Sequence, residues 1–178
     1  MKKNIWEFSK TIILAIIVAL VITTFIKPTL VKGYSMYPTI EPDNYLIVNR
    51  LPYIIGEPAR GDILVFKANI HSATGEEKDL IKRVVGIAGD EIEIINGAVY
   101  RNDKRLKEGY LIPETFSGHM EKIKVQEGYL FVMGDNRPDS LDSRDPAIGM
   151  VQVSDVLGRA DLRLYPLNEM GILNKVKE

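Results

Sequence analysis

The chain reads as a mostly β, antiparallel domain carried on a single N-terminal apolar helix. Three observations predict this. One is an uncharged apolar stretch from Thr11 to Ile26. Another is a succession of short β-rich runs separated by Gly, Pro, Asn and Asp over the remainder. The third is an Asn96-Gly97 pair set between two of those runs, a strong hairpin signal because both residues tolerate positive φ.

The apolar stretch reads TIILAIIVALVITTFI, with no helix breaker. As a helix it is about 24 Å long, a little short of a ~30 Å hydrocarbon core. Phe8, Ser9 and a snorkelling Lys10 extend it, with Trp6 and Phe8 as aromatic anchors near the headgroups. A buried core helix would need a larger protein around it. A cleaved secretory signal competes, given Lys2 and Lys3 at the start, but KPTLVKGYS beyond Ile26 offers no A-x-A site. The favoured division is a cytoplasmic terminus over 1–10, a signal anchor over 11–26 and an extracytoplasmic domain over 27–178. Lys2, Lys3 and Lys10 before the segment, against Lys27 and Lys32 after it, set that orientation by a small margin.

Beyond the anchor, strands are predicted at Tyr45–Asn49, Asp62–Phe66, Asp79–Gly86, Glu91–Ile95, Ala98–Arg101, Lys122–Val125, Tyr129–Met133 and Gly158–Leu164. His71–Lys78 and Gly109–Glu121 read as polar loops. Ala147–Val156 has room for a helical turn or two.

Composition removes several function classes. Among 178 residues, 23 Lys and Arg face 24 Asp and Glu, so nothing favours nucleic acid. Cysteine is absent, which excludes thiol catalysis, disulfides and Cys-ligated metal. The two histidines, His71 and His119, fall in polar loops, and neither H-E-x-x-H nor G-x-S-x-G occurs. A zinc site and a His-based triad both lack material, and both histidines read as surface residues.

Three polar clusters remain. In Gly33-Tyr34-Ser35-Met36-Tyr37-Pro38-Thr39, a Ser between Gly and Pro is by itself an ordinary turn hydroxyl. Its position gives it interest, since an extended chain keeps Ser35 within about 30 Å of the hydrocarbon edge. In Asp79-Leu80-Ile81-Lys82-Arg83-Val84-Val85-Gly86, two cations sit inside an apolar strand. One reading is an edge strand whose Lys discourages aggregation. The other uses the cost of burial: a desolvated lysine loses its proton more easily and becomes a base, as a guanidinium cannot. In the loop from Gly134 to Pro146, a calcium reading fails because Arg137 occupies a ligand position and the required Gly is missing. Such a loop can hold a lysine amine through Ser hydroxyls and Asp–Arg pairs.

Ser35-Met36-Tyr37-Pro38-Thr39 behind an anchor, Arg60-Gly61-Asp62, Ile81 to Gly86 with Gly89-Asp90, and Gly134-Asp135-Asn136-Arg137 through Arg144 occur in that order. Together they resemble bacterial type I signal peptidase, in its short one-anchor Gram-positive form. The resemblance implies a Ser35 nucleophile and a Lys82 general base, with Ser140 bonding the lysine amine. It implies an Asp142–Arg144 ion pair and Asp135 near Arg83. The implied fold is two antiparallel β lobes, the catalytic one touching the bilayer through an apolar face. The implied substrates are secretory preproteins, cut after small residues at the first and third positions before the scissile bond. No metal or organic cofactor is expected, and the sequence carries no signal of oligomeric state.

Three positions depart from the family pattern. Gly33 stands where some members carry a second oxyanion-hole serine, leaving the hole to backbone N–H, chiefly that of Ser35. Pro138 follows Gly134–Arg137, and Ala88 precedes Gly89-Asp90. Substrate is expected to pair with the strand around Asp79–Lys82, with small pockets near Val31, Met36, Ile40 and Ile81. Two rivals stand beside this reading. A self-cleaving Ser-Lys protease would have no use for the anchor. A catalytically inert anchored β domain that binds envelope partners gives no reason for Lys82.

Overall fold

The computed structural model describes residues 2–71, 75, 77–112 and 116–173. Helix α1 (Lys2–Phe25) passes directly into strand β1 (Ile26–Leu30), followed by β2 (Tyr45–Asn49) and a short helix α2 (Pro52–Ile55). Next come β3 (Ile63–His71), β4 (Glu77–Gly86), β5 (Glu91–Ile95), β6 (Ala98–Arg101), β7 (Lys104–Arg105) and β8 (Met120–Lys124). The chain finishes with β9 (Tyr129–Met133), β10 (Val151–Gln152), β11 (Val156–Tyr165) and β12 (Gly171–Ile172). All pairings are antiparallel. One sheet has eight strands in the order β1-β2-β11-β3-β4-β9-β10, with β12 beside β11. The other has four, in the order β7-β6-β5-β8.

Several boundaries move from their sequence expectations. The helix ends at Phe25, and Ile26 already pairs with Asn49. Pro28 explains the stop: it has no N–H for a helix and disfavours helical geometry at Lys27. The same Pro hid β1 as a strand, yet Pro is acceptable there because β1 is an edge strand. β3 continues to His71 and β4 begins at Glu77, so both ends of the expected polar loop are strand. Lys67 opposite Asp79 and Ala68 opposite Lys78 keep the ladder going. The helical turn is a single 3-10 turn, Val153–Asp155. Asn96 and Gly97 take φ of 50° and 79°, the positive values their hairpin turn requires.

Two strands join the lobes. Along β9, Leu130 and Val132 pack with Leu64, Phe66 and Val84, while Phe131 and Met133 pack with Ile92, Ile94 and Val99 of the smaller sheet. Alternate side chains of one strand thus serve different cores. On β4, Val84 and Val85 divide in the same way. A third core, made of Val31, Met36, Ile40, Leu46, Ile63 and Ala160, is closed by Ile81 of β4. The large sheet therefore curls until β4 meets the chain just beyond β1.

Among the described residues, α1 carries a stretch long and apolar enough to cross a membrane, Trp6–Phe25, and none of it is buried. The outward face of the adjoining sheet is apolar too. Leu30, Tyr45 and Tyr165 form an exposed cross-strand row, and Ile172 is exposed beside Leu162. At the helix exit, where Arg50 N–H bonds the Phe25 carbonyl, α2 displays Ile54 and Ile55 to solvent.

Candidate active site

Ser35 lies in the turn after β1, and Lys82 on β4 comes to it from the other side of the curl. Their Oγ and Nζ atoms are 2.5 Å apart, and the lysine also contacts the Ile81 carbonyl at 3.0 Å. Lys82 shares its face of β4 with Leu80 and Val84, which pack in the first core. Only 2% of it is exposed. Burial is the main reason its pKa falls to about 8, with Asp142 pulling upward and Arg144 adding to the fall. Once neutral, the amine accepts the Ser35 hydroxyl proton in a hydrogen bond. Among the described residues no hydrogen bond runs from the Ser35 N–H.

The loop after β9 closes over this pair. Asp142 is fully buried and accepts from Gly134 N–H at 2.9 Å, Ser140 Oγ at 2.7 Å and the Arg144 guanidinium at 2.7 and 2.8 Å. Burial would raise its pKa, but the Arg144 hydrogen bonds and charge, with Gly134 and Ser140, hold it below the usual carboxylate value. Ser140, expected to bond the lysine amine, turns its hydroxyl to Asp142 instead. Among the described residues the amine bonds only Ser35 and Ile81. A Cβ on Gly134 would lie 2.2 Å from Ser140 Oγ and 2.3 Å from the Ser35 carbonyl oxygen, so glycine lets the loop approach this closely. Asn136 N–H completes the clasp by bonding that same carbonyl at 3.0 Å.

Arg83 points to the opposite face from Lys82. Its guanidinium forms a buried fork on Asp135 at 2.8 and 2.6 Å, while Thr39 donates to Asp135 at 2.5 Å. The fork ties β4, the serine turn and the loop together. Arg60 and Asp90 join two further motif segments at 2.9 and 2.6 Å. Glu108 and Tyr110 belong to none of the motif segments. Glu108 holds the buried Arg137 guanidinium, and the Tyr110 ring stacks 4.2 Å from the Arg83 guanidinium carbon. Both sit in a segment without periodicity, so only the folded chain gives them partners.

Val31, Met36, Ile40 and Ile81 do gather in one cluster. Met36 and Ile40 are 0% exposed and Val31 5%, so they form a floor while half-buried Ile81 lines its edge. Gly33 is exposed, with open space where a Cβ would stand. His119 is exposed and takes part in none of the site's hydrogen bonds described above; the side chain of His71 lies outside the described residues.

A family model described as signal peptidase, peptidase S26, matches residues 5–165. The chain belongs to that family. Signal peptidase I S of Bacillus subtilis (strain 168) is 36% identical, with 95% of this chain and 94% of the relative covered. Signal peptidase I of Bacillus caldolyticus is 39% identical over 78% of this chain and 79% of its own. A crystal structure of a signal peptidase I from Enterococcus faecalis V583 aligns with 58% of this chain and 96% of its own, at 29% identity and a TM-score of 0.48. As an S26-family peptidase, the chain has Ser35, Lys82 and the Asp142 loop in a single constellation.

Proposed function

We propose that this protein removes signal peptides from secretory preproteins through a Ser35–Lys82 dyad. The observation that carries the reading is the contact of Ser35 Oγ with a buried amine of pKa about 8, at the end of an unpaired strand edge. β4 pairs with β3 from Glu77 to Arg83 but with β9 only from Arg83 onward, which leaves Asp79–Lys82 open on one side. An extended peptide adds to that edge through backbone hydrogen bonds. Small side chains at its first and third positions before the cut lie over the floor closed by Ile81, where bulk would overpack.

Lys82 takes the Ser35 proton as Oγ attacks the scissile carbonyl, and the developing oxyanion accepts from the Ser35 N–H. The C–N bond breaks, the departing amine takes the proton from Lys82, and an ester joins the signal peptide to Ser35. Lys82 then deprotonates water, which attacks the ester, releases the carboxylate and restores the serine. Asp142 and Ser140 hold the loop that positions Ser35 and leave the amine free.

In this reading Trp6–Phe25 is an uncleaved anchor with its N-terminus cytoplasmic. The apolar face from Leu30 to Ile172, together with Ile54 and Ile55, rests on the outer leaflet. Cleavage of a secretory preprotein by the detergent-purified protein, beside Ser35→Ala and Lys82→Ala, tests the proposal. Mature product from the parent alone supports it, and equal cleavage by Lys82→Ala moves the base elsewhere. A folded parent that cuts nothing leaves an anchored binding domain as the better account.

A further inference from the structure

We infer that Lys27 and Asp79 form a third substrate-reading position, specific for the side chain of the fifth residue before the scissile bond. The inference rests on the peptidase reading above and extends it. Among the described residues β1 pairs only with β2, so its other edge is open, as β4 is open over Asp79–Lys82. Lys27 Nζ on β1 and Asp79 Oδ2 on β4 approach to 3.4 Å, an ion pair linking the two open edges. It stands two residues beyond the end of α1, where a peptide leaving the bilayer enters.

Strand periodicity supplies the register. Alternate residues share a face, so Asp79 lies on the same face of β4 as Ile81, the residue that closes the apolar floor. On β1, Lys27 lies opposite to the exposed apolar Ile26 and Leu30. A substrate strand laid along β4 points its first, third and fifth residues before the cut the same way. The first two meet the apolar floor. The fifth meets the ion pair, two strand residues further toward the membrane. There an acidic side chain finds Lys27, a basic one finds Asp79, and a large aliphatic one strips water from both without pairing either. The position therefore takes a polar or charged residue and marks where the hydrophobic part of the peptide must stop.

The test uses one preprotein with Glu, Lys, Gln or Leu at the fifth position before the cut. Its readout is the ratio of kcat/KM for the Glu and Lys versions within each enzyme. The parent enzyme is expected to give a ratio near one and to cut Gln faster than Leu. Lys27→Glu shifts the ratio roughly fivefold toward the Lys substrate, and Asp79→Lys shifts it as far toward the Glu substrate, the size of an exposed ion pair. At the sixth position the same charges face away, and the ratio stays flat in all three enzymes. Ratios that do not move in the variants, or that move equally at the fifth and sixth positions, overturn the inference and leave the peptidase reading standing. No cleavage of any substrate by the parent overturns both.

Discussion

Lys82 Nζ stands 2.5 Å from Ser35 Oγ while only 2% of the lysine is exposed. This contact sets a pH dependence. With a pKa of about 8, the amine is mostly charged at neutral pH. Below that value kcat/KM is expected to fall about tenfold per pH unit, and above it to level off. Peptide cleavage followed from pH 6 to 10 checks this; a plateau already reached at pH 6.5 contradicts it.

The same burial costs stability. A lysine lowered on folding from 10.5 to about 8 opposes the fold wherever it is charged, by about 3 kcal/mol below the lower value. The cost disappears as pH rises from 8 to 10.5, because the unfolded chain then holds a proton that the folded chain lacks. Lys82→Met should be inactive yet more stable at pH 7, on the order of 2 kcal/mol after the lost hydrogen bonds are deducted. Thermal unfolding in detergent should show the gap narrowing at pH 10.

Two glycines near Ser35 should respond in opposite ways. Gly134→Ala drives a methyl into the Ser35 carbonyl and Ser140, so it should cost about 1–3 kcal/mol and most of the activity. Gly33 has open space around it, and Gly33→Ala should fold as the parent does. Gly33→Ser restores the hydroxyl that some family members carry at this position and should raise kcat several-fold by giving the oxyanion a second donor. An unchanged kcat would place that hydroxyl away from the oxyanion.

The Arg83–Asp135 fork joins two buried charges, so removing one partner should cost more than removing both. Arg83→Met alone should lose about 3–5 kcal/mol, and Arg83→Met with Asp135→Leu should recover part of it. A thermal double-mutant cycle measures the difference.

Ile54 and Ile55 test the proposed bilayer contact apart from catalysis. Ile55→Asp should lower cleavage of a membrane-inserted preprotein in lipid vesicles several-fold, because a charge replaces apolar surface at the interface. A short soluble peptide in detergent should be cut as by the parent. Equal loss in both assays would argue for a folding defect.

Much of the architecture was legible because local chemistry agreed with the fold. Asn96-Gly97 announced its hairpin, and the alternation in Tyr45–Asn49 and Glu91–Ile95 gave those strands with their ends. Lys82 stood out because a cation in an apolar strand is costly unless something uses it. β1 was illegible because Lys27-Pro28 breaks the strand pattern and its pairing depends on a distant hairpin partner. The motif pairs Ser140 with the lysine, but the Asp142 carboxylate, with five donors around it, claims the hydroxyl. Glu108 and Tyr110 carry no local signal, since beyond the bond between them their partners are two arginines on other segments.

The passage from Phe25 into Ile26 without an intervening loop has a mechanical consequence. The Phe25 carbonyl accepts from the Arg50 N–H, which ties the end of the helix to the residue that follows β2. In a thicker or thinner bilayer a spanning helix changes its tilt to match, and on the proposed reading the strand leading to Ser35 would tilt with it. If the helix spans a bilayer as proposed, lipid thickness would then act on the height at which a peptide meets Ser35.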